Sequence, residues 1–535
     1  MLFILTDQER YLDPDSLPKG YRLPGRERLK QRGVSFDNHQ ITSAVCTSSR
    51  SVIYTGQHIQ QTKLFDNVNF PWSQDLDPNI GTVGQLLSEA GYYAAYKGKW
   101  HLSNLGNLDE QALPDAKLTE ILESYGFHDY VGIGDVIGMV HGGWINDDLI
   151  TAQAQRWLRV RGKPLNEGQT PWFLAVNLVN PHDVMFLDTD EPGEHVQDTP
   201  APWLGLSAEP DTPFYKQQWQ FELPNSRHEP FDKASRPAAH QEYQRARDTQ
   251  VGSFPNEDRR WQRLLNYYYN CILSTDHKVE ILLDELQDLG LLDNTIVVLT
   301  SDHGELGGSH GNHGKGATAY QEQNHVPLVI SHPDYVQTHG QRCKALTSHL
   351  DLVPSFVAWS GADESTTRRL STNLRGKTLT PLLQKGEQAK INEIREGALY
   401  SFNMFAYLDY QFMQRVQQFV NAGSSRSEIA AQNFPQDLSK RGAIRSVFDG
   451  RYKLNRYFSP LQHNQPQTLE QIFAYNDVEL FDLHQDPDEM HNLAADSDSN
   501  VELIVTMNAK LNSLLQQELA GPDDGSFLPK GGSVG

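Results

Sequence analysis

Four side chains suited to metal binding or acid–base catalysis follow four apolar segments of the chain. Asp7 ends the run LFILTD, His101 follows YYAAYKGKW, His182 follows WFLAVNLVNP and Asp302 follows TIVVLTS. A carboxylate binds a cation or carries a proton, and an imidazole does both near neutral pH. Because polar residues commonly follow strands, one such residue is uninformative, but four of these types indicate a site.

The segments that position these side chains alternate between predicted helix and predicted strand. TVGQLLSEAG predicts a helix that stops at glycine before the strand YYAAYKG, and a long amphipathic helix from Arg259 to Leu289 precedes TIVVLTSDHGE. This alternation is typical of an α/β fold with a large, mostly parallel sheet flanked by helices. In such sheets the carboxyl ends of the strands form the ligand crevice, so we expect the four side chains to converge there.

Two parts of the chain depart from the alternation. Residues 190–257 are rich in Pro, Trp and charge, which predicts a long excursion that covers a substrate pocket; its aromatic residues are able to stack on a ring, but such residues more often hold a long loop in place (Trp203, Tyr215, Trp219). After residue 393 the runs GALYSF, GAIRSVFDGRYKLNRYF and VELFDL predict antiparallel strands before a final helix. We therefore predict a catalytic domain over 1–393 and a C-terminal α+β domain over 394–535.

Composition excludes several classes of protein. The formal charge of −22 comes without a basic stripe, which argues against a nucleic-acid partner, and no apolar run reaches membrane-spanning length. Three cysteines in 535 residues are too few and too scattered for a disulfide framework or a zinc cluster. The start MLFILTDQER lacks the features of a signal peptide and predicts a cytoplasmic protein, or an exported one if a leader was removed.

Cys46 lies in the run CTSSR, which on its own predicts no more than a buried thiol beside a helix start. Its context is more specific. The chain resembles the sulfatase family of the alkaline-phosphatase-like fold across nearly its whole length, nearest the branch of choline sulfatases and phosphonate monoester hydrolases. The resemblance rests on the order and spacing of ILTDQ, CTSSR, SVIYTG, GKWHLS, NPH, TSDHGELGG, GKGATAYQEQNHVPLVI and ELFDLHQDPDEMHNLA.

The resemblance implies that Cys46 is oxidised to formylglycine by a formylglycine-generating enzyme. A serine-like hydroxyl would leave a sulfated enzyme that hydrolyses slowly, whereas a hydrated aldehyde expels sulfate by collapsing back to the aldehyde. Ser48 stands where the family has Pro or Ala, which puts the efficiency of this conversion at issue. By resemblance, Arg50 supports the formylglycine and the metal site.

The resemblance also implies one divalent metal ion, held by Asp7, Gln8, Asp302 and His303. Oxygen-rich ligation favours Ca²⁺ or Mg²⁺, with Ca²⁺ the first expectation, while the histidine and the amide also suit Mn²⁺. Two histidines in GGSHGNHGKG could be mistaken for further ligands, but their flexible glycine spacing favours a substrate-facing loop (His310, His313).

Five further residues match positions of the family that handle the anion. Lys99 is expected to contact the sulfate and the formylglycine, and His101 to be the base that takes a proton from the diol. In an extended segment side chains two residues apart point the same way, so we expect these two on one face. His182 and Lys315 match the residues that bind the sulfate and assist the leaving oxygen, and Asn67 is a secondary candidate for substrate binding.

The predicted function is hydrolysis of a small-molecule or carbohydrate sulfate ester with release of inorganic sulfate. Two alternatives stay open: hydrolysis of phosphonate monoesters or phosphodiesters at the same site, and a catalytically silent binding protein. We expect no nucleic-acid or membrane partner, and the sequence is compatible with a homo-oligomer. His325 stands where many relatives have Arg before VPL, which indicates altered packing or an altered substrate contact.

Overall fold

We analysed a computed structural model of the chain, which describes residues 1–70, 72–105, 115–132, 138–197, 205–432, 434–519 and 521–525. Its main sheet has seven strands: β1 (Leu2–Asp7), β2 (Val34–Gln40), β3 (Tyr93–Gly98), β4 (Trp172–Pro181), β5 (Val297–Ser301), β6 (Leu328–Ser331) and β7 (Arg342–Ser348). Their order is β3-β4-β1-β5-β6-β2-β7. β6 runs antiparallel to both neighbours and the other pairs are parallel, so the predicted mostly parallel sheet is confirmed.

The central strands are apolar on both faces because helices cover both sides of the sheet. In β1, Leu2 and Ile4 pack into one core cluster, while Phe3 and Leu5 pack into another on the opposite face. Every residue of β1 and of β4 is buried. Near-continuous apolar runs of this kind are typical of parallel strands enclosed by helices.

Thirteen α-helices lie within the described residues of this part of the chain, and some of them cover the sheet. In chain order they are α1 (Pro24–Gln31), α2 (Cys46–Thr55), α3 (Ile59–Thr62), α4 (Val83–Glu89), α5 (Asp115–Ser124), α6 (Gly142–Trp157), α7 (Lys163–Glu167), α8 (Ala239–Val251), α9 (Asp258–Asp288), α10 (Gln321–Asn324), α11 (Leu352–Ala358), α12 (Glu364–Leu370) and α13 (Thr380–Lys385). α6 and α9 pack on the face that contains Leu2, and α4 and α11 on the face that contains Phe3. None of the helices in the described ranges is both long and apolar enough to cross a membrane.

A second sheet follows residue 393 and is antiparallel throughout, as predicted. Its strands are β8 (Ala398–Phe402), β9 (Ala443–Phe448), β10 (Tyr452–Phe458) and β11 (Asp477–Asp482), in the order β11-β10-β9-β8. The remaining helices are α14 (Tyr410–Asn421), α15 (Arg426–Ala431), α16 (Leu469–Tyr475) and α17 (Val501–Glu518). α17 packs on this sheet through Ile504, Leu511 and Leu515. The division of the chain into two domains at residue 393 stays a prediction.

The segment 190–257 contains more regular structure than its weak periodicity predicted. It includes α8, whose buried face contributes Tyr243, Ala246 and Arg247. Tyr215 packs against α9, and the indole of Trp219 donates a hydrogen bond of 2.8 Å to Asn270 Oδ1. These two aromatic residues therefore hold the segment on α9; Trp203 lies outside the described residues.

Candidate active site

The strand order brings four distant parts of the chain to one edge of the main sheet. β3, β4, β1 and β5 are adjacent, and the residues at or just after their carboxyl ends meet there. Lys99 Nζ lies 2.7 Å from Asp7 Oδ2, and His182 Nδ1 lies 3.2 Å from Asp7 Oδ1. Asp302 follows β5 directly, and its backbone N–H donates to Thr6 O at 3.1 Å. The predicted convergence is confirmed.

Cys46 is the first residue of α2, a helix that is buried over its whole length. Its Sγ lies 3.2 Å from His303 Nε2, 3.8 Å from Asp7 Oδ1 and 3.9 Å from Lys99 Nζ. Asn67 lies beside it, where Oδ1 accepts a hydrogen bond of 3.2 Å from the backbone N–H of Thr47. Oδ1 thus satisfies a free N–H of the helix start, which leaves the amide NH₂ of Asn67 as the group able to donate to an anion.

Arg50 lies one helical turn after Cys46 and holds three strand ends together. Its Nη2 donates to Asp7 Oδ2 at 3.0 Å, its Nε to Asp302 Oδ2 at 2.9 Å, and its Nη1 to Lys99 O at 2.9 Å. Residues four apart share a helix face, so the spacing of Cys46 and Arg50 points both into the site. The guanidinium is fully buried and orients the two carboxylates on either side of the thiol.

The two buried carboxylates differ in pKa because their charged neighbours differ. Burial opposes ionisation of Asp7, but the charge of Lys99, the hydrogen bond from His182 and the charge of Arg50 hold the pKa of Asp7 well below its usual value. Burial, together with the negative charge of Asp7, raises the pKa of Asp302. A divalent cation between the two would favour the ionised form of both, because a bound cation is the largest local charge in such a site.

The donor set fits a metal ion. Asp7, Cys46, Asp302 and His303 offer ligand atoms that all lie within 4.8 Å of one another, and all four residues are buried. His303 Nδ1 lies 3.0 Å from Gly304 O, which only accepts, so Nδ1 carries the proton and the Nε2 lone pair faces the cluster. Metal-binding histidines are commonly oriented through their other ring nitrogen in this way.

Gln8, His182 and Lys315 form a second polar group at the same edge. Gln8 Oε1 accepts a hydrogen bond from Lys315 Nζ and lies 3.2 Å from His182 Nδ1, while its Nε2 donates to Glu305. Within the described residues His182 Nε2 is buried and has no hydrogen-bond partner. Burial and then the charges of Lys99 and Lys315 lower the pKa of His182 well below its usual value, so its ring is neutral.

His101 and Lys99 both reach the site, but the prediction that they lie in an extended segment is wrong. β3 ends at Gly98, which has φ +87°, and His101 has φ +56°. Left-handed backbone at these two positions replaces a straight strand. Burial, followed by the charges of Lys99 and Arg50, lowers the pKa of His101 well below its usual value, so the imidazole is neutral and able to accept a proton.

We predict that Gly98→Ala lowers the free energy of unfolding by about 3 kcal/mol or more, because strain and overpacking add. A Cβ at this position would lie 1.9 Å from Asn177 O on β4. The matched control is Gly91→Ala, since Gly91 has φ +88° but no heavy atom within 4 Å of its added Cβ. Urea unfolding measures both variants. Equal losses for Gly98→Ala and Gly91→Ala would show that the close approach to β4 has no energetic role.

Sequence reasoning missed three residues that support the site. Glu305 Oε1 accepts from the backbone N–H groups of Gly307 (2.9 Å) and Gly314 (2.6 Å), while Oε2 accepts from Gln8, so this carboxylate fixes the loop that carries Lys315. Asn177 Oδ1 accepts from Arg50 (3.3 Å) and Tyr54 (2.7 Å), and His349 contacts Ser49 at 3.2 Å. Its position within the motif TSDHGELGG was the only feature of the sequence that pointed to Glu305.

Three further histidines considered in the sequence pack against aromatic side chains. His310 stacks on Tyr320 with ring centroids 3.5 Å apart and bonds to Glu229 at 2.6 Å, and His313 lies against Phe254, so neither joins the metal group found in the described residues. His325 stacks on Tyr11 with ring centroids 4.1 Å apart. Altered packing is therefore the reading of this position that the structure supports.

Comparisons with known proteins identify the family and the fold of the chain. The family model described as Sulfatase matches residues 1–362. The chain is similar to the N-acetylglucosamine-6-O-sulfatase of Bacteroides thetaiotaomicron, with 24% identity over 494 residues that cover 87% of this chain and 83% of the relative. It superposes on a solved 2-O GAG sulfatase (TM-score 0.63, 20% identity, 97% and 92% of the two chains). It also superposes on the phosphonate monoester hydrolase of Agrobacterium radiobacter (TM-score 0.61, 20% identity, 97% and 95%).

Proposed function

Because the chain belongs to the sulfatase family, we propose that it hydrolyses sulfate esters with a formylglycine made from Cys46 and one divalent cation. The observation that carries the proposal is the position of Cys46 Sγ, 3.2 Å from His303 Nε2 and 3.9 Å from Lys99 Nζ, inside the cluster of potential metal ligands. A nucleophile made at this atom adjoins both a cation site and a lysine, which is the environment that attack on an anionic ester requires.

The cation would be held by Asp7, Asp302 and His303, with Gln8 as the fourth expected ligand. Ca²⁺ is the first expectation because two carboxylates and an amide oxygen are hard donors, and His303 keeps Mn²⁺ and Mg²⁺ open. A cation bound there would act as a Lewis acid on a sulfate oxygen and lower the pKa of the nucleophile. Gln8 Oε1 accepts from Lys315 in this structure, so its ligation would require that hydrogen bond to be shared or exchanged.

The side chains around Cys46 divide into anion-binding groups and a proton acceptor. Lys99 and Lys315 supply positive charge on two sides, and the buried Nε2 of His182 faces the site without a partner in the described residues. We assign the two lysines and the NH₂ of Asn67 to the sulfate oxygens, and His182 to the leaving oxygen, to which its Nε2 donates in the protonated form that a bound anion favours. The neutral ring of His101 is the base that takes a proton from the hydrated formylglycine when sulfate leaves.

A paired rate measurement tests the reaction type. We expect the purified, metal-loaded protein to have a higher kcat/KM on 4-nitrophenyl sulfate than on 4-nitrophenyl phenylphosphonate, because both release the same chromophore and differ at the reacting atom. Faster turnover of the phosphonate would instead assign the site to phosphonate monoesters. Absence of turnover on both, with Cys46 still a thiol, would support a catalytically silent binding protein.

We predict that Ser48→Ala raises the fraction of Cys46 converted when the protein is co-expressed with a formylglycine-generating enzyme. Alanine restores the residue expected by resemblance, and Ser48 Oγ is a buried hydroxyl without a hydrogen-bond partner in the described residues. Removing such a group costs little stability. The control is Ser51→Ala on the same helix, whose Oγ donates to Ser48 O at 2.7 Å. Mass spectrometry of the converted fraction decides, and equal conversion of Ser48→Ala and wild type would contradict the prediction.

A further inference from the structure

Arg247 is a buried cation with unused hydrogen-bond donors. It lies on α8, in the segment predicted to cover a substrate pocket, and is 1% exposed. Within the described residues its Nε and Nη2 have no hydrogen-bond partner, and no carboxylate lies within ion-pair distance of its guanidinium. By contrast, Arg50, Arg260 and Arg445 are equally buried and each contacts a carboxylate.

A buried guanidinium without a counter-charge is costly. Moving a charge out of water is unfavourable unless an opposite charge and hydrogen bonds replace the solvent. Two parallel N–H donors on one edge of a guanidinium match two oxygens of a carboxylate or a sulfate. The unused edge of Arg247 therefore has the chemistry of a site for an oxyanion.

The unused edge lies next to the loop that carries Lys315. A Cβ placed on Gly314 would lie 2.4 Å from Nε and 3.1 Å from Nη2 of Arg247, so both atoms contact the backbone one residue before Lys315. Tyr407 lies beside the same guanidinium: burial raises the pKa of Tyr407, and the charge of Arg247 and a hydrogen bond with it oppose the rise.

We propose that Arg247 is a substrate-binding residue that takes a second anionic group of the sulfate ester, either a carboxylate or another sulfate. The proposal rests on the proposed function, since it assigns the substrate class of the same site. Lys99, His182 and Lys315 are the groups assigned to the reacting sulfate, while Arg247 approaches the backbone of Gly314, one residue before Lys315. The favoured substrate is therefore an ester with two anionic substituents, such as a sulfated sugar acid or a disulfated sugar.

The experiment compares substrate pairs that differ only in the second anion. One pair is N-acetylglucosamine 6-O-sulfate and glucosamine-2-N,6-O-disulfate, and the other is glucose 2-sulfate and glucuronate 2-sulfate. We expect the wild type to prefer the dianionic member of at least one pair by about 10- to 100-fold in kcat/KM, mainly through KM, since charge-assisted hydrogen bonds are strong. The pair with the larger preference identifies the second group as sulfate or carboxylate.

Arg247→Met should abolish this preference and leave kcat/KM for the singly charged member within about threefold of wild type. Removing a buried, unpaired charge should not lower the thermal midpoint. Arg247→Lys keeps the charge without the bidentate edge and should lose part of the preference; it replaces Arg247→Met if that variant fails to fold. The control is Arg245→Met, an exposed neighbour on α8, which should keep the preference.

Three results would overturn the proposal: no preference for a dianion in either pair, an intact preference in Arg247→Met, or equal losses on both members of a pair. The last would place Arg247 at the reacting sulfate or in a structural role. Turnover of 4-nitrophenyl sulfate by the wild type separates these results from failure of the proposed function. If no ester is turned over, calorimetric binding of glucosamine-2-N,6-O-disulfate and of glucuronate 2-sulfate to wild type and Arg247→Met decides, and equal affinities for both ligands would reject the proposal.

Discussion

Replacement of Cys46 by alanine should lower kcat/KM for 4-nitrophenyl sulfate by about 10⁴-fold or more, because loss of a nucleophile removes the covalent route and leaves only binding and electrostatic contributions. Cys46→Ser should be similarly impaired, since its hydroxyl would be trapped as a sulfate ester that cannot collapse to an aldehyde. The polar contacts of Cys46 Sγ are all 3.2 Å or longer, so replacing the thiol breaks no short hydrogen bond. Alanine and serine are also small enough for this buried position at the start of α2, so both variants should fold. Initial rates with equal amounts of protein and a saturating divalent cation measure the effect.

Cys271→Ala and Cys343→Ala are the matched controls. Both thiols are buried and free, but they lie on α9 and β7 rather than at the start of α2. Their removal should reduce stability through lost packing and keep kcat near that of wild type. If Cys46→Ala retained more than about a tenth of wild-type activity, far above the loss expected for a nucleophile, the reaction would not pass through residue 46.

Asp302→Asn should remove most of the bound metal and lower kcat/KM by about 10³-fold, because a Lewis acid contributes several kcal/mol to the transition state and each 1.4 kcal/mol is a factor of about ten. Asparagine has the same shape and keeps one oxygen for the backbone N–H groups of Gln8 and His303, which donate to Asp302 Oδ1 at 3.0 and 2.9 Å. The variant lacks the negative charge that helps to bind a divalent cation. Elemental analysis of the dialysed protein, with initial rates, checks both effects.

Asp276→Asn separates metal loss from general destabilisation. Asp276 lies on α9 and is as buried as Asp302, but it pairs with Arg26 of α1 at 3.0 Å, and among the described residues it has no hydrogen bond or ion pair with a candidate metal ligand. Its replacement should lower the unfolding midpoint without lowering metal content. An Asp302→Asn protein that retained its metal and its rate would remove Asp302 from the cation site.

The fold was predictable because its signals are local. Apolar runs in β1, β4 and β5, and the period of α9, are properties of short segments, and each of these elements lies where it was expected. The alkaline-phosphatase-like fold is confirmed by superposition on the two solved relatives. The strand order was not predictable from pattern, since it depends on which strands lie side by side after the long connections have folded.

The site was predictable where a residue ends a strand and poorly predictable where a loop positions it. Asp7 and Asp302 follow directly from their strands, whereas Lys99 and His101 depend on left-handed backbone that no periodicity shows. Glu305 acts by accepting backbone N–H groups, and such a role has no pattern of its own. Arg247 was missed because α8 buries polar as well as apolar residues, which weakens the amphipathic signal.

The chemical state of residue 46 in the purified protein tests the central claim most directly. Trypsin releases the peptide Gly33–Arg50, which contains this residue and no other cysteine. The proposed function predicts that a fraction of this peptide has lost sulfur and gained oxygen, reacts with a hydrazine probe as an aldehyde does, and grows in step with sulfatase activity across preparations. A peptide present only as the thiol in protein that turns over sulfate esters would contradict it.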